Sequence, residues 1–144
     1  MQATVKWLED ATFVGESGSG HCVVMDGPPD HGGRNVGPRP MEMILLGLGG
    51  CASFDVVSIL KKSRQNVAHC RVEIEADRAD GVPSPFTRIR LKFIVEGQDL
   101  KEAQVQKAVE LSTQKYCSAS IMLEAAGVEM SHSYQLVEVG DISA

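Results

Sequence analysis

The chain has 144 residues, 43% of them hydrophobic, enough for one domain with one apolar core. Its 14 basic and 19 acidic side chains leave a net charge of -5, which argues against a nucleic-acid partner, because phosphate binding needs a basic surface. The longest apolar run, Met43 to Ala52, is about half of the roughly 18 uninterrupted apolar residues of a membrane span, and no basic segment followed by an apolar one marks the start as a signal peptide. A cytoplasmic location with no membrane partner is the expectation.

In chain order, residues 2–8 alternate as a strand, Glu9-Asp10 make a turn, and Thr12–Gly15 form a second strand. Ser17-Gly18-Ser19-Gly20 turn again into a third short strand, His21–Met25, which completes a meander. Asp26 to Pro40 holds four glycines, four prolines and two arginines with almost nothing apolar, and reads as a loop. Pro40 suits the first turn of a helix, where its missing N–H has no partner anyway.

Met41 to about Lys62 reads as a long helix, apolar on nearly every side through Met43–Ala52 and therefore expected to be buried all round. Gly47, Gly49 and Gly50 each cost about 1 kcal/mol relative to alanine inside a helix, so close approach of another backbone, such as the same helix of a second subunit, is the compensation to look for. Residues 69–77 place Cys70, Val72, Ile74 and Ala76 on one face and Arg71, Glu73, Glu75 and Asp77 on the other. After a turn through Asp80–Pro83, residues 86–96 oppose Thr87, Ile89, Leu91, Phe93 and Val95 to Arg88, Arg90 and Lys92. Acidic side chains on one outer face then meet basic ones on the other, which favours an antiparallel hairpin.

Asp99 is expected to cap a helix through about Thr113 with Leu100, Ala103, Ala108 and Leu111 in its apolar stripe. A second helix is expected over Tyr116–Ala126 and stops at Gly127. Val128, Met130, His132, Tyr134 and Leu136 alternate as a last strand, and the tail from Gly140 is expected to fray. The class is α+β, one domain over residues 1–144.

Four cysteines, Cys22, Cys51, Cys70 and Cys117, stand at wide spacings that suit neither a secreted disulfide scaffold nor a zinc site. Cys51 follows Gly49-Gly50 in mid-helix and admits two readings, a small buried hydrophobe or a thiol that the glycines expose to a substrate. Cys117 lies 66 residues later at the start of a helix, where backbone amides stabilise a thiolate. Cys70 reads as core, Cys22 beside His21 as too little for a metal or nucleophile, and His132 as a satisfied core histidine. Ser53 and Ser58 read as structural, and Asp55, one turn beyond Cys51, would oppose thiol activation without a basic partner.

The stretches GPRPMEMILLGLGGCASFDVVSIL (Gly37–Leu60) and KYCSASIMLEAAGV (Lys115–Val128), with the order of elements, resemble the OsmC/Ohr family along nearly the whole chain, most closely its YhfA-type subgroup. The resemblance implies an OsmC-like fold, an intertwined homodimer with the long helices at its centre, and reduction of organic hydroperoxides. Cys51 would attack the peroxide bond, Cys117 would resolve the sulfenic acid as a disulfide, and an external dithiol would reset the pair without a cofactor. An apolar wall around Cys51 would favour small hydrophobic hydroperoxides.

The family's hydroperoxidases carry an arginine that activates the thiol and a glutamate directly after the helix-opening proline. Here Met41 holds that place and Glu42 follows, turned away from Cys51 by about 900° of ideal helix. Glu42 is thus open between orienting the arginine and serving as a favourable first-turn acid. Arg39 is the first candidate for the arginine and Arg34 the second, each otherwise a solvated loop charge, and Ser118 replaces the proline that often follows the second cysteine. A non-catalytic relative that binds a small hydrophobic ligand in the dimer pocket is the alternative, and an interaction protein whose pocket is only a dimer core is the third reading.

Overall fold

The computed structural model describes residues 1–139, and the tail from Gly140 lies outside the described residues. The fold is mixed α+β, with two three-stranded sheets and three α-helices. It falls into two compact units, Met1–Leu46 and the chain from Gly47 onward.

In the first unit β1 (Ala3–Glu9), β2 (Thr12–Ser17) and β3 (Cys22–Met25) form the expected antiparallel meander. The loop that follows is organised by Asp26, which is 1% exposed. Its carboxylate accepts the N–H groups of Gly27, Arg34 and Val36 at 2.7, 3.0 and 3.3 Å, and its own N–H donates to the Pro38 carbonyl at 3.1 Å. Burial works to raise the Asp26 pKa, but these N–H groups and the Thr12 hydroxyl outweigh it and hold the carboxyl below its ordinary value.

Helix α1 (Pro40–Lys62) begins at the proline, as its fixed φ and missing N–H dictate. By length and composition alone it could cross a bilayer. Leu48, Gly49, Ala52, Val56 and Leu60, however, form a buried stripe at helical spacing, the pattern of a core helix. The expectation of burial on every side is corrected: Ile44 is 43%, Leu46 61% and Phe54 74% exposed in the single chain. Only this stripe is covered within the chain, so an all-apolar helix has apolar surface left over.

Of the three glycines, only Gly49 has a close neighbour. A Cβ there would lie 2.9 Å from Ile74 Cδ1 and 3.2 Å from Val72 Cγ1, whereas one at Gly47 or Gly50 would meet nothing within 4 Å.

In the second unit β4 (Asn66–Arg78) and β5 (Phe86–Gln98) form the expected hairpin, with Glu73 opposite Lys92, Glu75 opposite Arg90 and Asp77 opposite Arg88. Ile89, Leu91, Phe93 and Val95 are buried on the inner face. The last strand, β6 (Glu129–Glu138), pairs with β5 in parallel, so the intervening helices are the crossover that parallel neighbours require.

Helix α2 spans Glu102–Leu111, and its N-cap is Lys101 rather than Asp99. Asp99 sits at φ 52° and gives its N–H to Glu138, so its backbone belongs to the turn rather than the helix. The buried stripe of α2 is Val105, Ala108 and Val109; Ala103 is exposed, and Leu100 and Leu111 are half-buried. The chain does not continue to Thr113 in α form but widens into a π-helical turn, Ser112–Tyr116, before α3 (Ser118–Ala125). Helix α3 ends at Gly127, whose φ of 91° is the left-handed stop expected there.

Gly97→Ala would place a Cβ 2.2 Å from the Asn66 carbonyl, a clash with backbone that cannot swing aside, and should cost about 3 kcal/mol. Gly50→Ala should instead stabilise the isolated chain by about 0.5–1 kcal/mol. Urea midpoints at several protein concentrations check both. A loss at Gly50 would show that a second chain fills the space beside it.

Candidate functional site: a thiol pair

Cys51 stands on α1 beside Ala52, and Cys117 stands at the N-cap of α3. Ser112 connects them. Its buried hydroxyl donates to the Ala52 carbonyl at 2.9 Å, and its carbonyl accepts the Cys117 N–H at 2.8 Å, the i to i+5 bond that closes the π-helical turn. One residue therefore fixes the end of α2 against α1 and sets the position of the second cysteine. Ser112 thereby ties the turn that carries Cys117 to the carbonyl next to Cys51, and both thiols are free.

Cys117 is 0% exposed and Cys51 is half-buried. The Cys117 sulfur accepts the Ser120 N–H at 3.5 Å, as an N-cap side chain does. Burial nevertheless dominates and pushes the Cys117 thiol above its ordinary pKa; the Ser120 groups pull it down and Cys51 adds a smaller upward push. The site thus has one wholly buried thiol and one half-buried thiol.

The other two cysteines fall outside the pair. Burial pushes the Cys70 thiol up on the inner face of β4, as suits an inert core residue, and Cys22 is exposed on β3. His132 Nδ1 lies 3.4 Å from Thr113 Oγ1 and is a half-buried, partnered histidine. Among the described residues Asp55 makes no ion pair; it lines a cleft of about 480 Å³ with Lys62, Lys107 and Tyr116.

Arg39 and Glu42 lie in the first unit. The Glu42 carboxylate accepts the backbone N–H of Arg39 at 2.8 Å, the half of a capping box in which the third helical residue reaches back to the cap. The Arg39 guanidinium bonds to the side chain of Asn35 and to the Gly37 carbonyl at 3.4 Å. Arg34 pairs with Glu9.

Sequence reading missed Ser112, Ser120 and Asp26. Ser120 carried a signal, a small hydroxyl residue three positions after an N-cap cysteine. Asp26 opens a Gly- and Pro-rich loop, which suits a loop-organising carboxylate. Ser112 carried none, because the π-helical turn that gives it meaning has no pattern in the chain.

A mid-helix thiol and an N-cap thiol on elements joined through Ser112, in a mixed α+β fold, define the class of protein. The chain belongs to the OsmC-like protein family, which matches residues 31–133. It is 52% identical over 137 residues to Protein YhfA of Escherichia coli K12, covering 95% of this chain and 98% of that one. Among solved structures, the OsmC-like protein of Mycoplasma pneumoniae superposes with a TM-score of 0.81 at 16% identity, covering 94% of this chain and 96% of that one. An organic hydroperoxide resistance protein from Legionella pneumophila superposes with a TM-score of 0.70 at 13% identity, covering 94% and 97%. Both share the fold.

Ser112→Ala should lower stability by about 1 kcal/mol, the usual net value of one such hydrogen bond, and should slow oxidative pairing of Cys51 with Cys117, read by urea titration and by thiol counting after diamide. Cys70 and Cys117 have raised native pKa values, so the native state holds its thiol protons more tightly than the unfolded chain. Their contribution is complete below the ordinary thiol value of about 8.5 and is lost as pH rises through the native values. The urea midpoint should therefore fall above pH 8.5, and Cys117→Ala should flatten that fall.

Proposed function

We propose that the protein is a thiol-dependent peroxidase that reduces organic hydroperoxides. The single observation that carries the reading is the Ser112 bridge, which ties the turn bearing Cys117 to the α1 carbonyl next to Cys51, two free cysteines 66 residues apart in the chain. The Cys51 thiolate attacks the peroxide O–O bond, becomes a sulfenic acid and releases an alkoxide that leaves as the alcohol. The Cys117 sulfur then attacks the Cys51 sulfur, its proton leaves with the hydroxyl as water, and an S–S bond forms. An external dithiol returns both cysteines to thiols and is itself oxidised to a disulfide.

The assignment of roles follows the accessibility of the two groups. The half-buried Cys51 meets substrate; the enclosed Cys117 meets only Cys51. Arg39 is the proposed source of positive charge for the departing alkoxide, and Glu42 its proposed acidic neighbour. Exposed Phe54, Ile121 and Met122 in the second unit suit a hydrophobic substrate and the interface of a homodimer. Turnover through free thiols suits the reducing cytoplasm.

A second reading, binding of a small hydrophobic ligand without turnover, is favoured by one observation. The Arg39 guanidinium is already engaged by Asn35 and Gly37, and Glu42 is occupied as a helix cap. Turnover of cumene hydroperoxide with a dithiol separates the two. The peroxidase reading expects a loss of about 10³-fold or more in kcat/KM for Cys51→Ser. Unchanged turnover in that variant would eliminate it. Cys117→Ser should instead accumulate a sulfenic acid that dimedone traps.

A further inference from the structure

Ser120 is 2% exposed, and its hydroxyl oxygen is buried without a hydrogen-bond partner among the described residues. A buried polar group without a partner is a standing cost to the fold, and native proteins keep few of them. This one lies on the third residue of α3, the helix whose N-cap is Cys117. The Ser120 amide already donates to the Cys117 sulfur at 3.5 Å, so the unpartnered hydroxyl belongs to the residue whose backbone the sulfur caps. The nearby Ser112 hydroxyl is committed to the Ala52 carbonyl and cannot serve.

A thiol is a weak acceptor, so the resting Cys117 sulfur gives the hydroxyl little to bind. A thiolate accepts strongly, and hydrogen bonds to a charged group are roughly twice as strong as neutral ones. The donor unused at rest is placed for the moment when the sulfur becomes anionic.

We infer that Ser120 is a catalytic residue of the resolving step, its hydroxyl and amide together holding the Cys117 sulfur as that sulfur becomes the attacking thiolate. This rests on the peroxidase reading and assigns the thiol-activating group of its second half. The sequence of events is balanced within the pair. As the Cys51 sulfenic acid loses its hydroxyl as water, taking the Cys117 proton, negative charge builds on the Cys117 sulfur and the two Ser120 donors stabilise it. When the S–S bond forms the charge is gone and the hydroxyl is released.

The test uses full-length protein and the Ser120→Ala variant. The variant removes a buried unpaired hydroxyl and is expected to fold with an unchanged or higher Tm. After one equivalent of cumene hydroperoxide, dimedone trapping follows sulfenic acid formation, and non-reducing mass analysis follows disulfide closure. Sulfenic acid formation should be unchanged. Closure at pH 7 should slow by roughly 10- to 100-fold, the range for loss of one hydrogen bond to a charged group, and its rate–pH midpoint should move to higher pH. Closure within twofold of the parent, or a profile that does not move, overturns the inference.

Diamide closes the same pair without a peroxide and keeps the two ideas apart. A Ser120-dependent closure with diamide, but no oxidation by hydroperoxide, overturns the peroxidase reading and supports the role of Ser120. Rapid oxidation by hydroperoxide with Ser120-independent closure does the reverse.

Discussion

The site depends on the two hydrogen bonds of Ser112. Its hydroxyl fastens the end of α2 to the Ala52 carbonyl of α1, and its carbonyl closes the π-helical turn that delivers Cys117. An ordinary α-helical continuation from Leu111 would rotate Cys117 to a different face, since each residue added or removed changes the azimuth by about 100°. The widened turn is therefore the device that lets a short helix begin with its cap sulfur beside a thiol from another element. π-helical turns cost hydrogen-bond quality, and they recur at functional sites because they re-aim a side chain.

Helix α1 serves two purposes that the same composition satisfies. Its stripe from Leu48 to Leu60 closes over the inner face of the β4–β5–β6 sheet, with Gly49 allowing contact with Val72 and Ile74. Its remaining apolar side chains, Phe54 most of all, stay uncovered in one chain, while Gly47 and Gly50 keep open space beside the backbone. A glycine with nothing near it retains its helix penalty without return inside the chain. The OsmC-like fold explains the buried stripe, and the uncovered face is the surface that the proposed homodimer would use.

The polar chemistry of the chain is divided between the units. In the first, Asp26 gathers three N–H groups and fixes the loop that carries Arg34 and Arg39, while Glu42 caps α1. In the second, charge lies on the outer sheet face, where Arg90 pairs with Asp77 at 2.8 and 3.1 Å. Those pairs are exposed and screened by solvent, so they set strand register more than stability. The interior beneath them holds aliphatic side chains and Phe93, with Cys117, Ser112 and Ser120 among its buried polar groups.

Strands β4 and β5 were legible because a period of two with charge on one face has one solution, and α1 because Pro40 starts it and the apolar run sustains it. The family followed from the residues around Cys51 and Cys117 themselves. The boundaries between Asp99 and Tyr116 were not legible: Lys101 caps α2 through its backbone alone, and a π-helical turn has no compositional signature. By itself the sequence determined which residues alternate, which helix is apolar and which cysteines merit attention, because those properties are local and periodic. Only the tertiary structure decided that β6 runs parallel to β5, that one side of α1 stays uncovered and that Ser112 ties the Cys117 turn to the carbonyl next to Cys51, because each of these depends on contacts between residues far apart in the chain.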